Sequence, residues 1–251
     1  MDIGGTKISG VAFDGKKVVS EIKLLTPGKL GEFKIVLKEM ILYLVQKEKH
    51  AAIGVAVAGV VNRKKGSVIY SPNLQMVNGF NFVKFFKTLG FSRVKVENDA
   101  NCFALAESRV GQGKKFGSSA GITLGTGLGG GIIINCNLYL GAHGSAGEPG
   151  HMLADEKLTY EKRFQMFKSK DDWKRAGKLL GRLTADILNL LDLEAIILGG
   201  SVGKKFGKHV IPVALAETKK HLLNKNLSPK IYISKLKHAG AIGAALLWEN
   251  K

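Results

Sequence analysis

The chain has 251 residues, 45% hydrophobic and 23% charged, with 5 prolines against 32 glycines, which excludes a disordered or collagen-like chain. At this length two lobes of ordinary size, or one large domain, are expected. Two cysteines, Cys102 and Cys136, exclude a disulfide scaffold and fit a reducing compartment, no run reaches the ~18 apolar residues of a membrane span, and the start Met1-Asp2-Ile3 does not read as a signal peptide. A cytoplasmic address without a membrane partner is expected.

In chain order, Lys7 to Asp14 alternates as a strand, Gly15-Lys16 turns, and Val18 to Leu25 reads as the next strand of a hairpin. Phe33, Val36, Leu37, Met40, Ile41, Leu44 and Val45 recur at helical spacing, and Ala52 to Val61 is an apolar run that predicts one buried strand. A short helix over Phe82 to Leu89, closed by Gly90, leads to a strand over Arg93 to Glu97 and a helix capped by Asp99. The same grammar then restarts. Ala120 to Leu124, a glycine turn and Gly131 to Leu140 predict a second hairpin, with Cys136 on its strand. Helices follow around Tyr160 to Phe167 and Trp173 to Leu191, then a strand Ala195 to Leu198 and a helix from about Lys208 to Leu223. No Pro/Ser-rich linker separates the two halves, so a shared interface is expected.

The formal charge of +18 raises nucleic-acid binding as a function. The lysines, however, fall in scattered pairs (Lys16 and Lys17, Lys47 and Lys49, Lys64 and Lys65, Lys114 and Lys115, Lys204 and Lys205), which reads as a solvated surface that draws in anionic substrates, with no specific nucleic-acid partner.

Two glycine-rich loops carry the chemistry. In Asp2-Ile3-Gly4-Gly5-Thr6-Lys7 a carboxylate ends a short strand and bare backbone follows; amides there can approach phosphate oxygens, and Asp2 can hold a hydrated Mg²⁺. Gly125-Thr126-Gly127-Leu128-Gly129-Gly130-Gly131 imitates a dinucleotide fingerprint, but Ile132-Ile133-Ile134 continues as β-branched strand where that motif must open a helix. It reads instead as a hairpin turn aimed at phosphate. Gly10 to Lys17 fails as a Walker A loop, having Lys17 where Ser or Thr should bind the metal.

The segments DIGGTK, VENDAN (Val96 to Asn101), LGTGLGGG, GEPGH (Gly147 to His151) and ILGGSV (Ile197 to Val202), in that order, resemble the ROK family of sugar kinases and sugar-responsive repressors along nearly the whole chain. The resemblance implies an α/β fold of two duplicated lobes, actin-like and hexokinase-like (RNase H-like repeats), with a central cleft. We expect a smaller lobe over 1–98, completed by a C-terminal helix over 239–251, and a larger lobe over 99–238. The implied activity is ATP- and Mg²⁺-dependent phosphorylation of a hexose, glucose or a close relative, at its 6-hydroxyl; a catalytically silent sugar-binding regulator is the alternative. A homodimer is expected. The implied roles are Asp99 as general base, Asn98, Glu148 and His151 as sugar contacts, and Glu161, Gly59 and Asn73 as further ones. Gly4, Gly5, Thr6, Lys7, Gly125, Thr126, Gly127, Gly129, Gly130, Gly199 and Gly200 are implied around ATP.

This sequence departs from the family's pattern in three ways. Many relatives follow the GH pair with a zinc-binding cysteine cluster, but Met152 to Lys170 has no cysteine, so no zinc site is expected and Tyr160, Phe164 and Phe167 must stabilise that loop by packing. Only Met1 precedes DIGG, so either the first strand is stunted or the sequence is truncated at its start. No helix-turn-helix segment precedes the kinase-like body, which disfavours the repressor branch.

Overall fold

Alternation over Lys7–Phe13 (β2) and Val18–Leu25 (β3) folds into the expected antiparallel hairpin, with Lys7 opposite Leu25 and Gly10 opposite Ile22. The first strand is short: Asp2–Ile3 (β1) pairs antiparallel with β2 and parallel with the fully buried Ile53–Val57 (β4). Val94–Asn98 (β7) adds a third parallel strand, giving the order β3-β2-β1-β4-β7. Helix α1 (Leu30–Val45) buries Phe33, Leu37, Met40, Ile41 and Leu44, its 3.6-residue stripe, in a core that includes Ile3, Ile8 and Val55. Helix α7 (Ala239–Leu246) lies directly on β4, where a Cβ added to Gly54 would stand 1.8 Å from the Ala244 carbonyl oxygen. The structure is a computed structural model and describes residues 1–46, 51–167 and 172–249. Lys47, Lys49 and the last two residues of the expected C-terminal helix fall outside that range.

The second sheet repeats the first. Ser119–Leu124 (β8), Leu128–Ile134 (β9) and Asn137–Tyr139 (β10) form the antiparallel part, and Ala195–Gly199 (β11) and Ile231–Ile233 (β12) continue it in parallel, in the order β10-β9-β8-β11-β12. Helices α5 (Trp173–Leu191) and α6 (Gly200–His221) pack on each other and bury Leu180, Leu183 and Ala214 with Ile196 and Leu198. By contacts the chain forms two compact units, Met1–Ala106 with Lys237–Lys251, and Glu107–Leu236. The division falls inside α3 (Asp99–Val110), eight residues past the Asn98/Asp99 boundary read from the sequence (106 − 98).

Several sequence expectations are corrected. The apolar run Ala52 to Val61 is two strands, because the chain turns at Gly59 (φ +125°); Val60–Asn62 (β5) then pairs with Ser67–Tyr70 (β6) in a separate ribbon. Gly131 to Leu140 is likewise broken, at Asn135-Cys136, where both residues take positive φ as a tight hairpin requires, so Cys136 is in a turn. Helix α6 starts at Gly200 and not near Lys208, because packing overrides the poor helix propensity of its two further glycines, Gly203 and Gly207. Helix α7 ends at Leu246, short of the expected span. The cap of α3 is Asn98, whose Oδ1 accepts the amides of Ala100 and Asn101 at 2.8 and 3.1 Å.

Gly54→Ala is expected to push α7 off β4 and destabilise the protein by about 1 to 3 kcal/mol; an unchanged urea midpoint would contradict this close packing.

Candidate active site

The three parallel strands of the first unit deliver their ends to one edge. The register places Asp2, Ala56 and Glu97 in one row and Ile3, Val57 and Asn98 in the next, so Gly4, Ala58 and Asp99 lie just beyond. Carboxyl ends of parallel strands are where ligands bind in α/β sheets. The Gly4–Lys7 turn closes by a Gly4 N–H to Lys7 carbonyl bond of 3.1 Å, is tied to Thr26 Oγ1 through the Gly4 carbonyl at 2.7 Å, and leaves Gly5, Thr6 and Lys7 exposed. Asn73 comes to this turn: a Cβ on Gly5 would stand 3.1 Å from its carbonyl oxygen.

Asn98 and Asp99 sit at the hand-over from β7 to α3. Besides capping the helix, Asn98 donates from Nδ2 to the Gly59 carbonyl at 3.1 Å, which fixes the β4–β5 turn to the site. Asp99 Oδ1 accepts the Ala100 amide at 3.0 Å. Burial raises its pKa against the pull of the Ala100 amide and its own. Burial also pushes Asp2 up to about 7, with repulsion from Asp99 as the second cause. The N-terminal turn of α7 presses on Asp2, since a Cβ on Gly240 would lie 2.5 Å from Oδ2. Two carboxylates whose pKa values burial raises form a donor set suited to a hard divalent cation, which would lower both.

Behind them is a device the motif reading missed. Glu97 is buried and takes four donors: Arg63 Nε at 2.5 Å and Nη2 at 2.6 Å, the Asn98 amide at 2.8 Å and Asn101 Nδ2 at 3.0 Å. The bidentate Arg63 comes from the β5–β6 ribbon, so that ribbon is locked to the Asn98-Asp99 corner. An arginine just after an apolar strand and a glutamate just before Asn-Asp were the available signal; that they meet was not.

In the second unit the strand ends again carry the glycines. The turn Gly125–Gly127 follows β8, and Gly199-Gly200 ends β11 beside it; Gly200 takes φ +78°, and a Cβ there would strike the Leu124 carbonyl at 2.2 Å. Gly129 and Gly130 are ladder residues of β9, opposite Thr123 and Ile122. The GEPGH segment packs on this hairpin: a Cβ on Gly130 would lie 2.6 Å from Pro149 Cδ, and one on Gly150 would lie 2.2 Å from the Leu128 carbonyl oxygen. Glu148 precedes and His151 ends a short 3-10 turn (Pro149–His151), and both are exposed. The loop after His151 is held by packing and hydrogen bonds: Tyr160 is buried, its hydroxyl donates to Asp186 at 2.6 Å, and its amide donates to the Met152 carbonyl at 2.9 Å. Phe164 and Phe167 meet edge to face at 6.1 Å. Glu161, on α4 (Tyr160–Gln165), accepts the Leu128 amide at 2.7 Å. A cavity of about 520 Å³ opens beside the turn, lined by Gly125–Leu128, Glu161 and an apolar wall that includes Phe164, Trp173 and Val210. That volume suits a nucleoside. Among the described residues no helix is long and apolar enough to cross a membrane.

The ROK family model matches residues 1–165 and 155–251. The chain is similar to an N-acetylgalactosamine kinase from Shewanella sp. (37% identical over 154 residues, 60% of this chain and 49% of that protein). It is also similar to a glucokinase from Streptomyces coelicolor (37% over 153 residues, 61% and 48%). These matches span about half the length of the curated relatives. Among solved structures, a ROK family glucokinase from Streptomyces griseus in complex with glucose and AMPPNP matches with a TM-score of 0.82 at 27% identity, covering 98% of this chain and 97% of that one.

Two outcomes are expected from the first unit. Arg63→Ala strands the Glu97 carboxylate and should cost about 1 to 3 kcal/mol, part of it recovered in the double variant Arg63→Ala/Glu97→Gln; additive losses in urea denaturation would contradict the pairing. For Asp2 the raised pKa means that the folded state binds the extra proton between about 4 and 7, so its ionisation costs stability as pH rises through that window. In chelator, Asp2→Asn should therefore stabilise the protein at pH 8, by up to about 4 kcal/mol, and give no gain near pH 4. Equal gains at both pH values would contradict the shift.

Proposed function

Because the chain belongs to the ROK family, we propose that it transfers the γ-phosphoryl group of ATP to a hexose, glucose or a close relative, at the 6-hydroxyl. The single observation that carries this reading is the Asn98-Asp99 corner. A carboxylate there stands at the end of a parallel strand, held by a helix start, with a second carboxylate, Asp2, in the same sheet. A binding protein needs hydrogen-bond partners for sugar hydroxyls; it does not need a carboxylate to take a proton from one of them.

In this reading Asp99 orients the attacking hydroxyl and takes its proton late in the transfer. Phosphoryl transfer is loose, so positioning and charge neutralisation carry most of the rate, and an ordinary carboxylate suffices as base. Asn98, with Oδ1 spent on the cap, offers the sugar its remaining Nδ2 hydrogen. Glu148 and His151 are exposed donors and acceptors suited to vicinal hydroxyls. Gly59 and Asn73 frame the same acceptor side. Asp2 would hold Mg²⁺ through water; the ion supplies neutralisation of the phosphoryl oxygens. The turns Gly4–Lys7 and Gly125–Gly127 offer backbone amides to phosphates, Gly199 and Gly200 let α6 begin close to the second turn, and the apolar wall beside that turn takes the base.

The test is Asp99→Asn, which keeps the shape and loses the base. Turnover in a coupled ADP assay with glucose should fall by ~10² to 10⁴ while sugar affinity changes little. Retention of more than about a tenth of the wild-type kcat would remove Asp99 from the role of base.

A further inference from the structure

Between His151 and Glu161 the chain forms a loop that closes on itself. Leu153 bridges antiparallel to Thr159, the Ala154 amide donates to the Leu158 carbonyl at 2.9 Å, and the Tyr160 amide donates to the Met152 carbonyl at 2.9 Å. Asp155 ties the tip: its Oδ1 accepts the Lys157 and Leu158 amides at 2.9 and 3.1 Å, and its Oδ2 accepts Arg163 Nε at 2.5 Å. Tyr160 is the one buried residue of the stretch 151–161, at 3% exposure, in the core that includes Leu128, Leu180 and Leu183. Its hydroxyl crosses to α5 and donates to Asp186 Oδ2 at 2.6 Å. Met152 to Lys170 has no cysteine, so no metal held by thiolates of this stretch orders it. The position of one ring therefore decides both ends of the loop. Through its amide Tyr160 holds Met152, the neighbour of His151, and through the chain it sets Glu161, whose Oε2 accepts the Leu128 amide at 2.7 Å.

We propose that Tyr160 and Asp186 are positioning residues for the acceptor sugar: their hydrogen bond fixes the ring that sets His151 and Glu161 at the separation sugar hydroxyls require. This rests on the reading in which those two side chains contact the sugar. A ring anchored by burial alone turns and slides in its pocket, and one directional hydrogen bond removes that freedom. Small displacements of groups that hold a substrate are costly, because binding depends on several hydrogen bonds being met at once. Tyr160 and Asp186 act through their neighbours on the sugar side, so loss of their bond weakens sugar binding and leaves the nucleotide alone.

The experiment measures kcat and the KM values for a hexose and for ATP in the full chain. The variants are Tyr160→Phe, Asp186→Ala, Asp186→Asn and the double variant Tyr160→Phe/Asp186→Ala, with His151→Ala as the reference. Tyr160→Phe keeps the buried ring and removes only the bond, and Asp186 is exposed on α5, so either change leaves the protein folded. Tyr160→Phe and Asp186→Ala should each raise the sugar KM ~10-fold, with kcat little changed and the ATP KM within about twofold of wild type. The double variant should be no worse than either single one. Asp186→Asn keeps an acceptor oxygen for the hydroxyl and should hold the sugar KM near wild type. A bond that only supports the fold would move the melting temperature and none of these ratios. An unchanged sugar KM in Tyr160→Phe, equal rises for sugar and ATP, or additive losses in the double variant would overturn the proposal. If His151→Ala raises the sugar KM in that case, the reading of the acceptor side stands without it. If His151→Ala leaves the sugar KM unchanged, or the wild type phosphorylates no hexose, that reading fails and the proposal falls with it.

Discussion

Two carboxylates withdrawn from water on one sheet set the terms for the first unit. Asp2 and Asp99 each lose solvation, and the charge of Asp99 adds to the effect on Asp2, whose pKa is pushed up to about 7. Much of the surrounding structure holds these groups in place at that cost. Asn98 caps α3 and ties the Gly59 turn, Glu97 gathers Arg63 and Asn101 behind them, and Gly240 lets α7 come down on Asp2 without a side chain between. A divalent cation carrying a phosphate chain would offset the charge of these two carboxylates.

The second unit uses the same sheet order to a different end. Where the first puts an exposed turn after β1, the second puts one after β8 that is covered by α4 and flanked by an apolar cavity. Close backbone approach explains more of its glycines than phosphate does. Gly130 and Gly150 make room for the contact between the hairpin and the GEPGH turn, and Gly200 for the start of α6 against Leu124. Glycine-rich motifs of this kind therefore mix two causes, packing and ligand approach, that the letters alone do not separate.

Where the pattern was periodic, the chain was legible: β2, β3, α1, α2 (Phe82–Thr88) and α5 lie where alternation and helical spacing put them. The repeat of hairpins was legible too, since both sheets share one order. Illegible elements were those decided by a single backbone turn or by distant packing. Gly59 and Asn135-Cys136 break apolar runs that look continuous, β12 is three residues long, and the first turns of α6 are glycine-rich yet helical because Leu198 and Ile233 pack against them. In the site, Asp99, Asn98 and the two turns stood out as motifs. The pairing of Arg63 with Glu97 and the reach of Glu161 to Leu128 did not, because each joins residues more than thirty positions apart.

The central claim is phosphoryl transfer to a sugar hydroxyl, and ³¹P nuclear magnetic resonance of the protein with ATP, Mg²⁺ and a panel of free hexoses reads it directly. The account predicts a new phosphomonoester resonance growing in step with ADP for at least one hexose, and none without sugar. ATP left intact beside a sugar that demonstrably binds, or ADP accompanied only by inorganic phosphate, would contradict it.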